Sequence, residues 1–191
     1  MNFRNERLRH ELRIDREAGR RGVFRLHSRV LIPRSREEVF EFFADAHKLE
    51  SITPAWLRFM VLSPPPIEMR AGTEIDYRLR LHGVPLRWRS RISVWEPSAR
   101  FVDEQVRGPY RFWRHEHRFE DHDQGTLVTD EVEYAVPGGE LMHRLFVGRD
   151  VRSIFAHRRQ RLLEEFGAVA APAAESAESV VGAGNSGAAD G

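Results

Sequence analysis

Hydrophobic and polar positions change their period along this chain, and the changes divide it into elements. From Val23 to about Leu31, Phe24, Leu26, Ser28 and Val30 alternate with Val23, Arg25, His27, Arg29 and Leu31, which is the period of a strand. Pro33 ends that run. Ser35-Arg36-Glu37-Glu38 then has capping-box spacing, with a hydroxyl at the cap and a carboxylate three positions later. Val39, Phe40, Phe42 and Phe43 follow as a short helix with an aromatic buried side. Asp45 to Ser51 reads as a second short helix, stopped before Thr53-Pro54.

Beyond Pro64-Pro65-Pro66 the period becomes two. Ile75, Tyr77, Leu79 and Leu81 alternate with Glu74, Asp76, Arg78 and Arg80; after a turn at His82-Gly83-Val84-Pro85, Leu86, Trp88, Ser90, Ile92 and Val94 alternate with Arg87, Arg89, Arg91 and Ser93. Further strands run from Phe101 to Val106, from Tyr110 to about Glu120, and from Thr126 to Val136, each bounded by turn residues. Regular strands on short turns predict an antiparallel meander with one buried and one wet face. Pro137-Gly138-Gly139 separates it from a helical pattern over Glu140 to Phe166, with Leu141, Leu145, Val151, Ile154, Phe155, Leu162 and Phe166 as the apolar stripe. Gly148 inside that stripe marks a kink or a close approach to the sheet, and Gly167 is a natural stop. Such a helix is roughly 40 Å long.

The two ends differ from this core. The net charge of the 191 residues is +1, but residues 1–29 hold nine arginines against Glu6, Glu11, Asp15 and Glu17, a balance of +5. Residues 168–191, almost all Ala, Gly and Ser, hold Glu175, Glu178 and Asp190 and no base. That tail cannot bury enough surface to offset its ordering entropy, so disorder is expected there. In the basic start, Leu8, Leu12 and Ile14 could share one side of a short helix. An arginine-rich start can be an arm for nucleic acid or an anionic membrane, but no RNA-binding or helix-turn-helix motif accompanies it, so a solvated extension is expected and no nucleic-acid partner. Of the 30 basic residues only Lys48 is lysine. Cysteine is absent, which excludes disulfides, thiolate metal sites and Cys nucleophiles. No apolar run approaches the roughly 18 residues of a membrane span, and no signal-peptide core opens the chain; a cytoplasmic location is expected.

The order strand, two short helices, six strands and long C-terminal helix resembles the START/Bet v 1-like superfamily, also called SRPBCC. Local strings carry the resemblance: Ile32-Pro33 with Glu38-Val39-Phe40, Leu49-Glu50-Ser51-Ile52-Thr53-Pro54, and above all Asp103-Glu104-Gln105 followed by Gly108-Pro109-Tyr110, Trp113, His115, His117 and Phe119. Gly125-Thr126, Asp130, Tyr134 and Pro137 continue it, while His47 departs from it in a loop. The match is similar to a bacterial ligand-binding subgroup of polyketide cyclase/dehydrase-like proteins. It implies an α+β helix-grip fold: a curved antiparallel sheet of about seven strands wrapped around the long C-terminal helix, with two short helices after the first strand. It covers 23–167, between an extension (1–22) and the tail (168–191). It also implies a hydrophobic ligand cavity between sheet and helix. Lipid carriers, quinone-binding proteins, hormone receptors and cyclases share this fold, so it narrows the chemistry only weakly.

Alternation assigns the cavity wall. Trp113, His115, His117 and Phe119 share a face because each is two residues from the next; Phe112, Arg114, Glu116 and Arg118 take the solvent face. On the following strand Asp130 lies on the apolar side with Tyr134, and Tyr77, Trp88, Ser90 and Ile92 face inward on theirs, with Phe155 on the helix. An apolar interior with few polar groups suits a hydrophobic or amphiphilic ligand such as a lipid, quinone or polyketide-like molecule, oriented by Tyr77, His115, His117 and Asp130. The competing reading is an aromatase/cyclase- or dehydratase-like enzyme in which an imidazole paired with Asp130 moves a proton. His115, His117 and Asp130 are its candidate catalytic residues. A third reading makes the domain a partner-binding scaffold that uses its basic arm. A His-x-His pair with a carboxylate on a neighbouring strand could bind a metal facially. With no third histidine at useful spacing, neither a metal nor a cofactor is expected. Asp103 and Glu104 point to opposite faces and form no carboxylate pair. The arginine stripe Arg87, Arg89 and Arg91 is expected to share a mixed-charge outer face with Glu74 and Asp76. Ser28, Ser90 and Ser153 lack nucleophile-elbow context, and no phosphate loop occurs. The oligomeric state stays open.

Overall fold

The computed structural model of the chain describes residues 10–167. Eight strands form one antiparallel sheet: β1 (His10–Arg16), β2 (Val23–Ile32), β3 (Met60–Val61), β4 (Glu74–Leu81), β5 (Val84–Glu96), β6 (Arg100–Arg107), β7 (Phe112–His122) and β8 (Gly125–Ala135), in the order β1-β2-β8-β7-β6-β5-β4-β3. Helices α1 (Arg36–Ala44) and α2 (Lys48–Ser51) follow β2, and a 3₁₀ turn (Ala55–Leu57) leads to β3. The described residues end on α3 (Gly139–Met142), a π turn (His143–Val147) and α4 (Gly148–Phe166). The sheet grips this terminal helix, which is the helix-grip fold. No helix among the described residues is long and apolar enough to cross a membrane.

Local chemistry explains the elements. Ser35 caps α1, its hydroxyl accepting from the Glu38 backbone N–H at 3.3 Å. The β5–β6 pairing shifts register between Arg89 and Ser90 and again between Ile92 and Val94; such irregularities bend a strand and let a sheet wrap. The inner face and the helices bury three clusters, of which one gathers Ala46, Val61, Ile75 and Tyr77 beneath β3 and β4 and two pack along α4. Of these two, one gathers Phe40, Phe101, Phe119, Leu162 and Phe166 toward the C-terminal end of α4; the other gathers Phe24, Tyr134, Val151 and Phe155 toward its start.

Three expectations need correction. Residues 10–16 are a strand rather than part of a helix. Leu12 and Ile14 alternate with Glu11, Arg13 and Asp15, and β1 covers the edge of β2 while its apolar side packs on the Phe24 cluster. The sheet therefore begins at His10 rather than Val23. Leu8 and the expected disordered tail 168–191 lie outside the described residues. The terminal helix is also not continuous: its π turn shifts the phase of the apolar stripe, so that Val151, Phe155, Leu162 and Phe166 are buried while Leu141 and Leu145 are half exposed. Gly148 closes the turn, and a Cβ there would stand 2.9 Å from His143 Cε1 and 3.1 Å from its carbonyl oxygen.

The outer face holds the third correction. Glu116 is only 4% exposed, beneath the guanidinium groups of Arg118 (2.7 Å), Arg114 (3.1 Å) and Arg100 (3.4 Å). Long arginine stems cover a carboxylate that alternation alone places in water. Burial opposes its charge, but Arg118 and Arg114 hold its carboxyl below the usual range. The arginine stripe of β5 does meet acids: Arg89 grips Asp76 through two bonds (2.8 and 2.7 Å), and Arg91 binds Glu74.

Candidate functional site

Three neighbouring strands bring the polar centre together. On β7 the two-residue period turns Trp113, His115, His117 and Phe119 to the inner face. Across the ladders His115 stands opposite Asp103 of β6, and His117 opposite Asp130 of β8. His115 Nε2 lies 2.9 Å from Asp130 Oδ1. A carboxylate can only accept, so this nitrogen carries the hydrogen and the lone pair of neutral His115 sits on Nδ1. His117 Nδ1 is also 2.9 Å from Asp130 Oδ1, but out of line for a hydrogen bond. On the other side, Asp103 Oδ2 lies 3.4 Å from His117 Nε2 and 3.6 Å from His115 Nδ1. The two rings lie 3.7 Å apart between centroids, and His117 stacks on Phe101 at 4.2 Å. His115, His117 and Asp130 are each 5% exposed or less.

Burial and mutual charge divide the protons. Burial, then the neighbouring His117 charge, push His115 down to about 4, so it is neutral near pH 7. Burial acts on His117 in the same sense, but Asp103 and Asp130 outweigh it and raise this imidazole above its ordinary value. Burial would raise both carboxyls; the imidazoles hold Asp130 and Asp103 below the usual range instead. The centre therefore pairs two carboxylates with one imidazole, His117, whose charge they favour and one, His115, whose charge burial opposes.

Beside this centre lies a cavity of about 180 Å³ between the sheet and α4. Tyr77, Trp88, Ser90, Ile92, Trp113, His115, His117 and Phe155 line it, as alternation expects. Three expected wall residues do not. Asp130 sits behind the imidazoles. Phe119 packs among Phe40, Phe43 and Phe101. The Tyr134 hydroxyl hydrogen-bonds to His143 Nε2 at 2.9 Å, and that ring in turn stacks on Phe24. The Ser90 hydroxyl reaches the Tyr77 hydroxyl at 3.4 Å, and burial pushes the Tyr77 phenol up. At one end Trp88, Tyr110 and Trp113 meet edge to face or tilted, with centroids 4.7–5.5 Å apart.

Asp103, Tyr110 and Arg158 also line the cavity, and sequence reasoning missed all three. Asp103 shares the parity of buried Phe101 and pairs with inward Ile92, a signal available once β6 is read for both faces. Arg158 lies three residues after Phe155 and four before Leu162, on the buried side of α4. Its Nε has no hydrogen-bond partner among the described residues, and burial lowers its pKa. Tyr110 follows the turn at Gly108-Pro109; the Gln105 side-chain amide donates to its carbonyl at 2.8 Å and accepts from its N–H at 3.2 Å.

A family model described as polyketide cyclase / dehydrase and lipid transport matches residues 32–163. No curated protein matches the chain. Among solved structures, protein CV1439 from Chromobacterium violaceum superposes with a TM-score of 0.60 at 14% identity, covering 76% of this chain and 97% of that one. Protein Ms6760 from Mycobacterium smegmatis gives 0.58 at 13% identity over 80% and 95%. Major latex-like protein 151 from Panax ginseng gives 0.57 at 13% identity over 75% and 97%. Identities this low carry the fold alone.

Proposed function

The chain belongs to the polyketide cyclase/dehydrase and lipid transport family, and from that premise we propose that it binds a hydrophobic or amphiphilic small molecule between sheet and α4. One observation carries the reading: a cavity walled by aromatic and aliphatic side chains that ends on a buried His/Asp centre and on a guanidinium nitrogen without a hydrogen-bond partner among the described residues. Apolar walls supply affinity and a few fixed polar groups supply orientation. A volume of about 180 Å³ is below the roughly 300–1,000 Å³ of drug-sized sites, which favours a compact ring compound over a whole diacyl lipid. Arg158 would donate to an oxygen at the ligand's polar end, with Tyr77 and the imidazoles beside it. Trp88 and Trp113 are both in the wall, so occupancy should quench their fluorescence. Titration with 1,4-naphthoquinone, 2-naphthol and decanoic acid should give saturable quenching with at least one probe, weakened in Trp113→Phe. Native mass spectrometry of protein from its own host should show a bound small molecule. No saturable probe and no retained molecule would together defeat the reading.

The neutral state of His115 favours a second reading, a cyclase or dehydratase step. An imidazole of a cavity-lining residue with its Nε2–H on Asp130 and a free lone pair on Nδ1 is arranged as a general base. Turnover of the retained molecule should then fall by roughly 10²–10⁴ in His115→Ala with binding kept. Recovery of that molecule unchanged after incubation with wild-type protein would leave binding alone.

A further inference from the structure

Asp103, His115 and His117 each offer one donor atom, and these atoms lie within 4.8 Å of one another. We propose that these three side chains form a site for a divalent first-row transition-metal ion whose remaining coordination positions open into the cavity. The proposal does not rest on any organic ligand.

The two separations from Asp103 fit a metal. Ligands about 2.0–2.2 Å from an ion lie roughly 3.3–3.6 Å apart along a tetrahedral edge. Asp103 Oδ2 is 3.4 Å from His117 Nε2 and 3.6 Å from His115 Nδ1. Bound imidazoles also need a partner on the far nitrogen to fix ring and tautomer. Asp130 Oδ1 stands 2.9 Å from both far nitrogens, His115 Nε2 and His117 Nδ1. The buried His117 Nδ1 has no aligned hydrogen bond among the described residues, and a small ring rotation toward an ion would align it. The three donors line the cavity whereas Asp130 does not, so the open side of the ion faces space large enough for water or a ligand.

Charge and donor type narrow the ion. Two imidazoles and one carboxylate, with no thiolate in the chain, suit zinc or ferrous iron; calcium and magnesium prefer all-oxygen shells. Asp103 and Asp130 together offset a dication. Arg158, whose charge acts on both carboxylates, then leaves the loaded centre positive, so the open position takes an anionic oxygen such as hydroxide, carboxylate or enolate. A third histidine, which sequence reading required, is unnecessary because Asp103 completes the set.

The test uses the full chain after chelator treatment, with Co²⁺ and Zn²⁺ as probes. Co²⁺ should bind one per chain with visible ligand-field bands, and Zn²⁺ should raise the Tm of the wild-type protein. His117→Gln should abolish the bands. Asp130→Asn, which keeps the donors and loses their support, should weaken Zn²⁺ roughly 10–100-fold. X-ray absorption of the Co²⁺-loaded wild type needs no variant and should count two imidazoles. Fewer than two imidazoles, no Tm shift with Zn²⁺, or wild-type affinity in a folded His117→Gln protein would each overturn the proposal. Metal binding without any quinone, naphthol or fatty-acid binding would leave this site standing while the ligand reading fell.

Discussion

Asp130 and Asp103 touch the same two imidazoles from opposite sides, yet they carry different weight in holding the fold. Asp130 is 3% exposed and accepts from His115 at 2.9 Å. Asp103 is partly open to the cavity, and its contacts are 3.4 and 3.6 Å. Removing the deeper of the two carboxylates breaks the buried His115 hydrogen bond and withdraws the nearer counter-charge from His117, at about 3 kcal/mol. In chelator-treated protein, Asp130→Asn should therefore lose about that much stability in urea unfolding and Asp103→Asn clearly less; equal losses would contradict this ranking. His143 gives a pH prediction away from the site. Burial lowers its pKa below the ordinary 6.5, with Arg16 adding to that and Glu140 opposing it. The unfolded chain then takes up a proton first as pH falls, so this stabilisation is complete above 6.5 and drains away as pH drops below it toward the folded value. His143→Gln should flatten that limb of the stability–pH curve, read by thermal unfolding at stepped pH. At this scale much was legible: the two-residue period identified both histidines and Asp130. Asp103 escaped because its importance comes from standing across from His115, and pairing between strands is not written in either strand alone.

The elements show the same division between local and long-range causes. Capping chemistry predicts α1, and period two predicts the meander, because each depends on neighbours in sequence. β1 is different. Leu12 and Ile14 fit a strand or, with Leu8, a helix face; what decides between them is the free edge of β2 that β1 covers. The π turn likewise has no sequence period of its own. It exists where His143 stacks on Phe24 at 3.4 Å and bonds Tyr134, and the resulting phase shift exposes Leu141 and Leu145. Gly148 is the residue that permits it. In an ordinary helix, Gly→Ala gains roughly 0.5–1 kcal/mol. Here the new methyl would press on a ring already held on both sides. Gly148→Ala should instead destabilise by about 1–3 kcal/mol, measured by denaturant unfolding, with a gain in stability refuting the close approach.

For the molecule as a whole, the cavity is the part the sequence could announce only through family resemblance. Alternation names inward residues but not whether they meet. Two aromatic clusters are filled, around Phe119 and around Tyr134, and those two residues went to packing rather than to the cavity wall. Between the clusters the sheet and α4 stand apart by enough to leave about 180 Å³, a cost in packing that a ligand site keeps for function. Filling the space should expose that trade. Ile154 is half-buried on α4 and borders the cavity; Ile154→Phe would extend a ring into it without disturbing the His/Asp centre. Added apolar burial on the order of 1 kcal/mol should raise Tm by roughly 2–4 °C for a chain of this size. The same change should weaken probe binding by tenfold or more in the fluorescence titration. A higher Tm with unchanged binding would move the ligand away from α4. A lower Tm would mean that the side chains already close the gap in solution, and the binding reading would then lose the void on which it stands.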